Sequence, residues 1–210
     1  MSVNELWHNG SESDWKEALS NYYNNPYDKD LEDRMEELLP SDIDKMSVQE
    51  FYTFLYDEYF VWKYTAKNRL ATTRKSLSKY ESEGMNSLAK IKKGIIRAYE
   101  DDPNDTEELL EIARRINGLG IAGASGLLSI LFPKHYGTLD QFIVYALRKV
   151  DNLPEHNKLA SINPQNLTVK DGVLLESILR RKADELNHRF NTDEWTPRRL
   201  DMVLWAIDRY

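Results

Sequence analysis

The sequence predicts an all-α fold, and three observations carry the prediction. Large apolar residues recur at helical spacing, most plainly Phe51, Phe54, Leu55, Tyr59, Val61, Trp62, Leu70 and Leu77 within 48–80. No segment alternates apolar and polar residues at the period of two that a half-buried strand requires. The punctuation is helical too: capping residues open the periodic runs, and Pro40, Gly84, Pro103 and Pro133 fall at their breaks. Spaced this way, the chain accommodates about ten helices.

With 210 residues the chain suits one domain, or one domain with a subdomain, and can bury a proper core. It divides into an acidic helical segment, 1–45, packed on a helical domain, 46–210. Hydrophobic residues make up 41% and charged residues 30%, the balance of a soluble globular protein. No apolar run approaches the ~20 residues that span a bilayer, so no membrane partner is expected. The opening MSVNELWHNGSESDW lacks the basic and apolar regions of a signal peptide, and a cytoplasmic location, free or at a bacterial nucleoid, is expected. Zero cysteines exclude disulfides, iron–sulfur clusters and a Cys nucleophile. His8, His135, His156 and His188 contain no i, i+4 pair, so no metal and no other cofactor is expected.

A net charge of −7 argues against a general nucleic-acid binder, but the charge is unevenly placed. Residues 1–58 hold 4 basic and 15 acidic side chains, a net −11, whereas residues 59–100 hold 10 and 3, a net +7. Exposed charges act over about 10 Å, so phosphate responds to the local basic face.

Taken in order, Trp7, Trp15, Tyr22 and Tyr23 mark one face of a short helix with Ser13 as N-cap, broken at Asn24-Asn25-Pro26. Residues 28–39 read as a short acidic surface helix ended by Pro40, with a turn opened by Ser41 and Asp42. Ser47 and Glu50 form a capping box for the pattern over 48–80. On another face of that pattern Lys63, Lys67 and Arg74 recur at spacings of four and seven, either a solvated face or a stripe facing phosphate. Residues 85–99 form a second basic helix with Lys90, Lys92, Lys93 and Arg97, and 107–116 turn Leu109, Leu110, Ile112, Ala113 and Ile116 inward. Residues 151–164 read as a loop, 174–190 as a strong helix, 191–197 as a turn and 198–210 as a closing helix. Arg180-Arg181-Lys182 and Arg198-Arg199 read as solvated helix ends or second phosphate contacts, Trp195 and Trp205 as core, and His135 as a loop residue.

The most specific stretch is 116–150, INGLGIAGASGLLSILFPKHYGTLDQFIVYALRKV. Gly118 can take the left-handed conformation that ends a helix, and Gly120 permits a second tight bend. Ala122, Gly123, Ala124, Ser125 and Gly126 let the next helix approach a neighbour closely. Such a bend points amide groups outward at a helix N-terminus, a ready phosphate site, although Gly-x-Gly hairpins also join helices with no ligand. A third helix follows with Thr138 as N-cap, Gln141 completing its capping box and Asp140 in the first turn. There an aspartate favours the helix dipole, worth about 0.3–1 kcal/mol, without any catalytic role.

Ile116-Asn117-Gly118-Leu119-Gly120, the small residues after it, Leu127-Leu128, and an aspartate 22 residues beyond Gly118 together resemble the helix-hairpin-helix DNA glycosylase superfamily. The chain is also similar to bacterial proteins with an 8-oxoguanine-glycosylase-like fold, whose closing helix the tail WTPRRLDMVLWAIDRY resembles. The likeness covers roughly 48–210, with motif-level agreement over 107–150. It implies two subdomains flanking a cleft. It also implies a hairpin (Asn117, Gly118, Leu119, Gly120, Ala122) that grips a phosphate of double-stranded DNA, and Asp140 as the essential carboxylate. Lys63, Lys67 and Arg74 would add attraction for DNA, and Trp62, Tyr64, Phe142 and Tyr145 are candidates to hold an extruded base.

The departures from the family pattern are informative. Members that also cleave the strand carry a lysine two residues after the second hairpin glycine, where this chain has Ala122, so lyase activity by that route is not expected. Asn117 replaces the hairpin proline, and Phe142 stands where a histidine often follows the aspartate. The resulting expectation is a monofunctional N-glycosylase acting on a damaged or modified base. Its alternatives are a catalytically silent helix-hairpin-helix DNA-binding protein and a helical interaction module whose acidic N-terminal segment docks a protein partner or covers the basic face.

Overall fold

The computed structural model describes residues 1–24 and 29–207, and every regular element among them is helical. None of these helices is long and apolar enough to cross a membrane. In chain order they are α1 (Val3–Asn9), α2 (Glu12–Tyr23), α3 (Lys29–Glu37), α4 (Pro40–Lys45), α5 (Val48–Phe54), a π-helical turn (Leu55–Tyr59), α6 (Phe60–Lys63), α7 (Lys67–Leu77) and α8 (Lys79–Glu83). Then follow α9 (Asn86–Asp101), α10 (Thr106–Ala113), α11 (Ile121–Leu131), α12 (Gln141–Arg148), α13 (His156–Ser161), α14 (Val169–Phe190) and α15 (Pro197–Ile207). Asn25, Pro26, Asp28 and the end of the expected closing helix, 208–210, lie outside the described residues.

Among the described residues fifteen α-helices replace the ten or so expected, chiefly because the pattern over 48–80 is divided. The π turn inserts an extra residue after α5, and Tyr64 leaves helical geometry at φ −118° and ψ 91°. The capping box of Ser47 and Glu50 opens α5 as expected, with amide-to-side-chain bonds of 2.7 and 3.2 Å. Three local readings are corrected. Ser11, not Ser13, caps α2, since its Oγ accepts from Asp14 N–H and the Asp14 carboxylate reaches back to the Ser11 amide. Ser41 and Asp42 belong to α4, which Pro40 starts, because the missing N–H of a proline costs nothing at the first helical position. Residues 156–161, expected in a loop, form α13.

The small residues of the hairpin helix put α11 at the centre. All of its residues except Ala122 are buried, and α10, α14 and α15 lie against it. Its glycines let the aromatic segment around α6 come close: a Cβ on Gly123 would collide with Tyr64 Oη, and one on Gly126 would stand 2.8 Å from Tyr59 Oη and 3.2 Å from Lys63 Cδ. The N-terminal helices pack on the rest through large apolar contacts. Trp15 is fully buried between Trp7 and Trp195, with ring centres 6.3 and 5.6 Å apart, and α2 runs along α15. Nor is α3 a surface helix, because Leu31, Glu32 and Met35 are buried. Lys182, expected in solvent, lies 3% exposed with its ammonium on Trp7 O at 2.6 Å and over the Trp7 ring.

Candidate active site

A cleft of about 360 Å³ opens between α6, the start of α11, the start of α12 and α15. Asp140 lines it. The carboxylate caps α12 itself, where Thr138 was expected to: Asp140 Oδ1 accepts from Phe142 N–H at 3.0 Å, and Asp140 has extended backbone angles. Thr138 cannot serve, because its hydroxyl pairs with Ser129 Oγ at 3.0 Å in the core. The second carboxylate oxygen of Asp140 accepts from Lys63 Nζ at 3.2 Å, and the two side chains are 17% and 9% exposed.

Lys63 reaches this position because Gly126 leaves its stem room on the surface of α11. It therefore does not share a stripe with Lys67 and Arg74. Lys67 is exposed in the first turn of α7. Arg74 folds back on the π turn, donating to Tyr56 O at 2.8 Å, stacking over the Tyr56 ring and meeting Asp57 at 3.6 Å. The α-helical spacing linked these three only on the assumption of an unbroken helix, and the chain leaves helical geometry at Tyr64, between Lys63 and Lys67.

The hairpin borders the cleft. Gly118 takes φ +96°, the left-handed conformation expected of it, and a Cβ there would lie 2.9 Å from Thr73 O, so the turn rests directly on α7. Asn117 N–H donates to Tyr80 Oη at 3.2 Å, and Leu119 is buried. Gly120 is exposed at the N-cap of α11, which carries no side-chain cap, and Ala122 lines the cleft two residues later. Exposed Arg69 of α7 stands at the same mouth.

Of the four aromatic candidates, Trp62, Tyr64 and Phe142 line the cleft, and burial pushes the Tyr64 hydroxyl up to about 12. Tyr145 is 41% exposed and is not among the lining residues; Trp205, expected in the core, is half-buried and lines the cleft instead. Trp62 is less available for stacking than its position suggests. Its Nε1–H donates to Glu32 Oε2 at 2.6 Å, and the Arg198 guanidinium sits 5.3 Å from its ring centre.

The far wall was not foreseen. Arg198, expected at a solvated helix end, is 5% exposed and bridges two carboxylates, Asp201 at 3.0 Å and Glu32 at 2.9 Å. Burial raises the Asp201 carboxyl above its usual range, opposed by Arg198. Glu32 comes from the acidic N-terminal helices, so that segment forms part of the cleft wall. The one trace of this in the sequence is the spacing of Arg198 and Asp201, three residues apart on the closing helix. His135 has no part in the cleft: it pairs with Tyr99 Oη at 2.9 Å, and burial lowers its pKa.

What the arrangement offers chemically is a carboxylate held at both oxygens, an ammonium beside it, aromatic walls and a polar rear wall. No protein-family model, no curated protein and no solved structure matches the chain.

Proposed function

We propose that the chain binds duplex DNA and hydrolyses the N-glycosidic bond of an extruded, damaged or modified base, with Asp140 as the essential carboxylate. In this reading the fold is of the helix-hairpin-helix glycosylase kind, with the hairpin and α7 on one side of the cleft. The observation that carries it is that Asp140, although it caps α12, opens into a cleft bordered by the hairpin's Ala122.

Each part has a physical task. The cleft volume falls in the range that encloses a small organic ligand, and base extrusion supplies such a ligand. As the base leaves, the sugar gains oxocarbenium character, which a nearby carboxylate stabilises, and the same group orients or deprotonates the attacking water. The uncapped N-terminus of α11 offers amides to a backbone phosphate, and exposed Lys67 and Arg69 add attraction at the mouth.

Base release from duplexes carrying a broad lesion panel tests the reading, with Asp140→Asn as the control. Asparagine keeps the helix cap, so loss of release in the variant reports chemistry rather than unfolding. No release by the wild type leaves a silent DNA-binding protein or an interaction module, and equal release by the variant removes Asp140 from the chemistry.

Lys63 favours a second reading, in which strand cleavage follows excision. Loss of the base leaves an aldehyde at C1′ of the open sugar. Once the Lys63 ammonium has passed a proton to the Asp140 carboxylate, the amine can add to that aldehyde and expel water as an iminium forms, after which loss of a C2′ proton expels the 3′ phosphate. The residue at the family's lysine position is still Ala122; the amine arrives from α6 instead.

A further inference from the structure

Two contact paths leave Asp140, and they meet on the far wall of the cleft. The first runs through the backbone. Three consecutive amides before Asp140 donate to buried oxygens on three other helices: Gly137 N–H to Glu176 Oε2 at 3.1 Å, Thr138 N–H to Asp201 Oδ2 at 2.6 Å, and Leu139 N–H to Ser125 Oγ at 2.9 Å. The second path runs through the lysine. Lys63 follows Trp62 on α6, and Trp62 Nε1–H donates to Glu32. Arg198 joins the two: Nη1 donates to both oxygens of Asp201 at 3.0 and 3.2 Å, and Nη2 to Glu32 Oε1 at 2.9 Å and Tyr22 Oη at 3.1 Å.

A buried loop needs its amides satisfied, so their capture alone is architecture. The ions need a further reason. Burying a guanidinium with two carboxylates carries a desolvation cost that Asn, Gln and an apolar side chain would avoid while still offering acceptors to Thr138 and Trp62. What they would lose is the planar fork, which fixes two carboxylates on different helices at one separation.

We infer that Arg198 is the positioning residue of this cleft, clamping Asp201 to Glu32 and so setting the Asp140 carboxylate and the Lys63 ammonium relative to each other. Its effect on catalysis rests on the base-excision reading, whereas its effect on geometry rests on the hydrogen bonds alone.

Two variants test the clamp. Arg198→Lys keeps the charge but has no fork. The triple variant Arg198→Met, Asp201→Asn, Glu32→Gln removes the clamp while leaving no stranded charge and keeping both acceptors, so it serves where the first fails to fold. Hydrogen exchange followed by NMR at the Thr138 amide and the Trp62 indole should quicken together by about tenfold or more, with the amides of α9 unchanged. Exchange that quickens at neither reporter, or at Thr138 alone, in a folded variant overturns the inference. In base release, kcat should fall about tenfold with KM within about twofold, and a raised KM at unchanged kcat overturns the positioning role. Wild-type protein that releases no base defeats the excision reading, while the exchange result still decides the clamp.

Discussion

Lys63 and Lys92 come from the same basic stretch, and both bury most of their side chains, yet their partners differ in kind. An ammonium group has three donors. Lys92 places its donors on backbone carbonyls of Ile43, Asp44 and Met46, at 2.9, 2.8 and 2.6 Å, and so closes the end of α4 against α9. Lys63 gives one bond to Asp140 and faces a cleft. A buried cation whose donors all meet carbonyls serves the architecture. One beside a carboxylate in an open cleft is available for chemistry.

The largest expected effect falls on the second setting. On the base-excision proposal, Asp140→Asn should cut base release by about a thousandfold, as removal of a transition-state stabiliser would, while the thermal midpoint stays close to wild type because Asn caps as well as Asp. Next comes Lys92→Met, which strands carbonyls and should destabilise the fold by about 2–4 kcal/mol in denaturant titrations. Base release by the protein that remains folded should be unchanged, and a loss of kcat there would break the contrast. Lys63→Met should do the reverse, lowering release about 10–100-fold at near-wild-type stability, because Asp140 keeps its amide donor and cleft water.

Gly126→Ala sharpens the same point without touching either charge. The added methyl would meet Tyr59 Oη at 2.8 Å and Lys63 Cε at 3.3 Å, pushing the lysine off its slot, with an expected loss of about tenfold in release. The smallest effect concerns Glu176, whose carboxyl burial pushes from its ordinary 4.5 up to about 8. The protonated form suits the fold, so its stabilisation is fully present below pH 4.5 and is lost as pH rises through about 8. Glu176→Gln keeps an acceptor for Gly137 N–H and should remove that part of the pH dependence, read as melting midpoints across the window. A wild-type midpoint that rises over the window relative to the variant contradicts this sign.

The helical class, the hairpin and the acid after it were legible because each is local: period, glycine and a helix start can be read within a few residues. The cap of α12 was misread because Thr138 and Asp140 both suit an N-cap, and only the core partner Ser129 decides between them. Lys63 was misread because the chain leaves helical geometry at Tyr64, between Lys63 and Lys67, so counting faces through an unbroken helix does not apply. Arg198 was out of reach, since its partner Glu32 is 166 residues away and an Arg-Arg pair looks the same in solvent or beneath the rings of Tyr22 and Trp62.

The bridge between Glu32 and Arg198 also has a consequence in time. A chain leaves the ribosome N-terminus first, at roughly 5–20 residues per second. Glu32, the hairpin and Asp140 all emerge before α15, so the wall behind the carboxylate is missing until Arg198 and Asp201 follow. A nascent chain with a finished hairpin is therefore still without its clamp. The order of synthesis keeps a half-made protein from presenting an assembled site.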